Sequence, residues 1–103
     1  GAALAFEACC RTLGYDCVTA AGRLDGEPHF WNIVTLDGRS FHVDISAVGE
    51  DGEMLLFLES DEALLSRGYW WDNSIYPVCD APYAPAEDEV SGEPAASEDP
   101  IDF

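Results

Sequence analysis

The pair Asp37-Gly38 narrows most sharply what this chain can fold into. It separates two runs of mixed apolar and polar residues, His29–Leu36 and Arg39–Ser46. Asp-Gly fits a two-residue type I′ turn, so the segment predicts a β-hairpin. Such a turn sets the register: Leu36 opposite Arg39, Val34 opposite Phe41, Asn32 opposite Val43 and Phe30 opposite Ile45. Side chains alternate, so these residues share one face, mostly apolar and expected to be core. The other face carries His29, Trp31, Ile33 and Thr35 from one strand, and Ser40, His42, Asp44 and Ser46 from the other. His29 then lies opposite Ser46, with Asp44 as its diagonal neighbour. Backbones of diagonal pairs are ~7–8 Å apart, within reach of an imidazole and a carboxylate.

A His held beside an Asp has three readings. It can be a structural pair. It can be the orienting half of a nucleophile–His–Asp system, in which the Asp fixes the imidazole tautomer and the His takes a proton from a thiol or hydroxyl. With His42 on the same face, His29, His42 and Asp44 can also be read as metal ligands, although Trp31 and Ile33 crowd that face and no fourth ligand is evident.

The remaining residues up to about 80 predict a compact α+β unit. Ala2, Phe6, Cys9 and Leu13 recur at helical spacing, which makes Cys9 a core residue, and Gly14 stops the helix. A strand is expected over roughly 16–23, then a turn over Leu24–Pro28, with Pro28 barring strand structure until His29. Leu55–Leu58 reads as a short strand. Ser60 is placed to cap a helix over Asp61–Arg67, ended by Gly68. The aromatic stretch from Tyr69 to Pro77 is expected to close over the sheet. The fold class is therefore α+β, an N-terminal helix on an antiparallel sheet of roughly three to four strands.

Composition changes at the end of this unit. From Asp80 to Phe103 there are eight acidic residues, no basic ones and four of the six prolines. Residues 81–103 are expected to form a disordered acidic tail or linker, because so little apolar surface cannot offset the entropy of ordering. Across all 103 residues the formal charge is −17, with four basic residues against 21 acidic ones. That field disfavours nucleic acid and anionic membrane surfaces and suits amines or basic peptides; acid-surface adaptation is the alternative reading. No apolar run reaches the ~18 residues of a membrane helix, and no leader is visible. The four cysteines form no zinc spacing, so the redox compartment stays open.

The ordered motifs resemble the transglutaminase-like domains of bacteria. Gly14-Tyr15-Asp16-Cys17, His29-Phe30-Trp31-Asn32, Leu36-Asp37-Gly38 and His42-Val43-Asp44-Ile45 occur in the family's order and spacing. Phe57-Leu58-Glu59-Ser60-Asp61-Glu62 follows, then Trp71-Asp72 running to Tyr76-Pro77-Val78-Cys79. The resemblance covers residues 1–79 and implies a papain-like core, with His29 as general base and Asp44 as its orienting carboxylate. It calls for no cofactor. Its implied partners are a protein or peptide substrate and, for transfer chemistry, an amine acceptor.

By the same resemblance the nucleophilic Cys belongs at the start of the first helix, where unpaired N–H groups lower a thiol pKa. That position falls two residues before Gly1. Cys9 and Cys10 lie too deep in the helix to replace it, Cys17 begins a strand, and Cys79 ends the domain. The chain alone is thus expected to be inactive, as a piece of a cysteine protease, amidase or transamidase. The alternative is a non-catalytic binding module of the same fold. Phe30 departs from the small residue usual beside the His, which alters the expected cleft.

Overall fold

A computed structural model describes residues 1–84. Helix α1 (Ala2–Thr12) leads into β1 (Asp16–Leu24), β2 (Glu27–Leu36), β3 (Arg39–Val43) and β4 (Phe57–Glu59); α2 (Asp61–Leu65) and β5 (Tyr69–Trp70) follow. The strands form one antiparallel sheet in the order β4-β3-β2-β1-β5. The α+β class holds, with one strand more than expected. Tyr69 and Trp70 add the extra strand at the edge, pairing with Leu24 and Arg23. Two residues are too short to show a period in sequence, so this pairing comes from tertiary placement.

Asp37 and Gly38 both take positive φ, 53° and 80°, as a type I′ turn requires. The register of Leu36, Val34 and Asn32 against Arg39, Phe41 and Val43 is the expected one. Asp25-Gly26 makes a second turn of the same kind, with φ of 52° and 85°. The expected turn over Leu24–Pro28 is therefore a tight hairpin, but Pro28 does not bar strand structure: it lies inside β2 opposite Arg23. Its missing N–H faces the side that β3 no longer flanks, so no ladder bond is lost.

The second hairpin ends sooner than expected. Strand β3 stops at Val43, because Asp44 turns the chain: its carboxylate accepts from the N–H and hydroxyl of Ser46, and its carbonyl from the N–H of Ala47. These local bonds compete with the ladder and win. Phe30 consequently has no partner in Ile45 and stands 59% exposed instead of entering the core.

Both sheet faces are covered. On one face Cys17, Val34 and Val43 pack with Phe6 and Cys10 of α1. On the other, Ala20, Trp31 and Ile33 pack under Leu56, Leu64, Tyr69, Trp71 and Cys79. The face that carries Trp31, Ile33 and His42, and not the one expected to be core, is thus the larger core, with His42 buried inside it. Full burial of side chains such as Trp31, Ile33 and Leu64 contributes on the order of 2 kcal/mol each.

Helix α1 rests on Ala3, Phe6, Glu7 and Cys10, which are partly buried; Cys9 is exposed and Leu13 is 74% exposed. The expectation that Cys9 is a core residue is therefore corrected. Two overlapping stripes both have helical spacing, and the one used lets Cys10 join the Cys17 cluster and Glu7 reach Thr19. At the other end Gly14, at φ 91°, closes a Schellman motif: its N–H reaches Arg11 O and that of Tyr15 reaches Cys10 O. Ser60 caps α2 by accepting from the N–H of Ala63. The α-helical run ends at Leu65, shorter than expected, before Gly68.

The expectation of a disordered tail over 81–103 lies outside the described residues from 85 onward. Within 81–84, Tyr83 packs edge-on against Phe41 and donates its N–H to Leu58 O.

Candidate active site

Strand β2 supplies His29 near its start, and the turn after β3 supplies Asp44. Their side chains meet, with His29 Nε2 2.8 Å from Asp44 Oδ2. Asp44 is 2% exposed. Burial pushes its pKa up, but hydrogen bonds from Ser46, Tyr69 and His29 outweigh burial and hold it below the ordinary carboxylate value. An ionised carboxylate can only accept, so His29 Nε2 carries the proton. Nδ1, with no hydrogen-bond partner among the described residues, is left as the basic nitrogen.

Tyr69 donates its hydroxyl to the same Asp44 oxygen. Burial first, and then the Asp44 carboxylate, push the Tyr69 hydroxyl well above the ordinary phenol pKa, so it remains a donor. The His29 ring lies over Trp31, with centroids 6.1 Å apart and planes at 23°, and meets the Tyr69 ring edge-on at 5.8 Å. Sequence reasoning brought His29 and Asp44 together but missed Tyr69. No local pattern marks a residue that is 25 positions beyond Asp44 and sits on a two-residue strand.

The pairing of His29 with Asp44 does not come from the expected diagonal of a continuous ladder. It comes from the Asp44 turn, which swings the carboxylate back over the sheet. An open groove of about 590 Å³ borders His29. Ala2 and Leu4 of α1, Ala21, Phe30 and Ser46 also line it. The first turn of α1 carries no acidic side chain, so the positive end of its dipole is uncompensated. Asn32 fastens this turn to the sheet: its Nδ2 lies 2.9 Å from Ala3 O and 3.3 Å from Val18 O.

A second His–Asp pair stands on the same sheet face. His42 Nε2 lies 2.7 Å from Asp61 Oδ1, and His42 Nδ1 accepts the indole N–H of Trp31 at 3.0 Å. Burial lowers the pKa of His42 and the Asp61 carboxylate opposes it, with the lowering dominant, so the ring is neutral at neutral pH. The Trp31 bond needs a bare Nδ1, which fixes the proton on Nε2. Asp61 also accepts the backbone N–H of Cys79.

Neither arrangement makes a metal site. The triple His29, His42 and Asp44 is divided, since each His is paired with a different Asp and the Trp31 ring neighbours both imidazoles. His42, Asp61 and Cys79 do converge, with ligand atoms within 4.8 Å of one another. A metal on His42 Nε2 would leave the proton on Nδ1, facing the Trp31 N–H donor, so this donor set does not fit an ion.

The buried cysteines are poor nucleophiles. Burial, with Cys10 adding to it, pushes the Cys17 thiol up to about 12; burial and then Asp61 do the same for Cys79, also to about 12. Among the described residues no helix is long and apolar enough to cross a membrane. Comparison with protein-family models, with curated proteins and with solved structures finds no match.

Proposed function

We propose that this chain is the base-bearing part of a transglutaminase-like, papain-like cysteine acyl-transfer domain, whose intact parent acts on amide or peptide substrates. The observation that carries the reading is the 2.8 Å contact between His29 and the buried, ionised Asp44, beside a groove whose opposite wall is the N-terminal turn of α1. Asp44 holds the imidazole with Nδ1 bare. Tyr69 and Ser46 keep Asp44 charged and oriented. A thiol at the start of α1 would have its thiolate favoured by the unpaired N–H groups there.

The chemistry then runs in two halves. His29 Nδ1 takes the thiol proton as sulfur bonds to the carbonyl carbon. The carbon–nitrogen bond breaks, and the leaving amine takes that proton from His29. Water or an acceptor amine next gives its proton to His29 as it attacks the thioester, and the sulfur leaves to regain it. Asp44 stabilises the imidazolium in both halves and does not itself become protonated. The excess of acidic residues favours cationic peptides and amines as partners.

The test is to express the parent gene product with its native sequence upstream of Gly1 and incubate it with peptide amides. The reading predicts a Cys two residues before Gly1 and a trapped acyl-enzyme on that residue, absent in His29→Gln. Another residue there, or acylation that ignores His29, contradicts it and favours a binding module of the same fold.

A further inference from the structure

We propose that His42 and Asp61 are positioning residues for His29, acting through the indole of Trp31. The inference rests on the base role given to His29 above and adds residues to which the resemblance assigns no part.

The argument follows one line of contacts across the sheet. Asp61, the first residue of α2, accepts the Nε2 proton of His42 at 2.7 Å. This selects the tautomer with a bare Nδ1, the only neutral form able to receive the Trp31 indole N–H. That bond, at 3.0 Å, fixes the rotation of a ring that has no other hydrogen-bonding atom. The opposite face of the chain of contacts is His29, whose ring lies over Trp31 at 23°. Tyr69 meets both rings edge-on, at 5.2 Å from Trp31 and 5.8 Å from His29.

His29 therefore has three restraints. Asp44 tethers one nitrogen, which still allows the ring to pivot about the line joining them. The near-parallel Trp31 ring and the edge-on Tyr69 ring restrict that pivot. Tyr69 is held by Asp44, whereas the orientation of Trp31 is held by His42.

Gly22 is part of the arrangement. It pairs with His29 across the β1–β2 ladder, and a Cβ there would lie 2.6 Å from Trp31 Cη2. The backbone oxygen of Trp70 and the indole together occupy space that only glycine leaves open. His42 is buried against Trp71, whose ring meets it at 4.7 Å, while Asp61 is partly exposed on the far side of His42. His42 is fully buried and does not border the groove.

The experiment uses the present chain, labelled with ¹⁵N. It follows hydrogen exchange of two protons, the Trp31 indole N–H and the His29 Nε2–H. His42→Leu removes the acceptor, and His42→Asn places a carboxamide oxygen near the position of Nδ1. Trp31→Phe keeps an aromatic face without the N–H. The expected result is about tenfold faster exchange of both protons in His42→Leu. His42→Asn should hold exchange near the wild-type rate although its link to Asp61 is lost. Trp31→Phe should speed His29 exchange, and adding His42→Asn to it should change nothing further.

A folded His42→Leu with unchanged His29 exchange overturns the proposal. If His42→Leu does not fold, unchanged His29 exchange in Trp31→Phe overturns it. No thiol takes part in these readings. Loss of acyl transfer in the parent protein would sink the functional reading and leave this result standing, and the converse holds.

Discussion

Replacing Tyr69 with Phe isolates one hydrogen bond of the candidate site and gives a signed, pH-dependent expectation. The ring keeps its packing against Trp31 and His29; only the hydroxyl that donates to Asp44 is lost. A hydrogen bond to a buried charged group is worth about 1.5–3 kcal/mol. Asp44 retains three other donors, from His29 and from the N–H and hydroxyl of Ser46, so a loss of ~2 kcal/mol at neutral pH is expected. The pH dependence follows from linkage. The folded pKa of Asp44 is depressed, so its stabilisation is fully present above the unfolded value of ~3.9 and is lost as pH falls through the folded value. The variant raises the folded pKa and has less to lose. The difference between wild type and Tyr69→Phe should therefore be largest near pH 7 and shrink below about pH 4, toward the ~1 kcal/mol of a neutral bond. Urea unfolding followed by tryptophan fluorescence at a series of pH values measures it. A difference that stays constant from neutral to acid pH, or a loss below ~0.5 kcal/mol throughout, would refute the claim that Tyr69 keeps Asp44 ionised.

Four further outcomes are expected. Phe41→Ala should cost about 3–5 kcal/mol and Val34→Ala somewhat less, whereas Phe30→Ala should stay within about 0.5 kcal/mol, all by chemical denaturation. Gly22→Ala should destabilise by roughly 1–3 kcal/mol, since its Cβ meets the backbone oxygen of Trp70 as well as the Trp31 ring; a neutral effect would mean that both the β5 edge and the indole give way freely. The depressed pKa of His42 contributes stability that is whole above the unfolded value of ~6.5 and is lost as pH falls from there toward the folded pKa. His42→Asn should remove that part of the acid-side loss, seen as a flatter stability curve below about pH 6.5. With iodoacetamide and mass spectrometry, Cys9 should be alkylated in the native chain while Cys17 and Cys79 react only on unfolding.

What the sequence made legible was local chemistry with a fixed period. Asp37-Gly38 set the turn and register, Gly14 the helix stop and Ser60 the helix cap, and each has a short-range mechanism. The same Asp-Gly logic applied to Asp25-Gly26, where Pro28 misled because the proline sits on a strand edge and not in a central ladder. The two faces of the hairpin were separated correctly, but both are buried, and alternation alone does not say which face receives the larger cover. That cover comes from residues 56 to 79, which have no shared periodicity. In the site, the nearness of His29 and Asp44 was legible from the hairpin, but the Asp44 turn that joins them was not. Tyr69, and the bonds from Trp31 to His42 and from His42 to Asp61, depend on where α2 and β5 pack, a long-range property that a window of neighbouring residues does not contain.

The most direct test of the central claim is the alkylation rate of a Cys at the start of α1, measured against pH in the parent protein with and without His29→Gln. The account predicts a thiolate that forms well below the free-thiol value of ~8.5 and an inflection that moves upward when His29 is replaced. An inflection at the free-thiol value in both proteins, or one unaffected by His29→Gln, would contradict it.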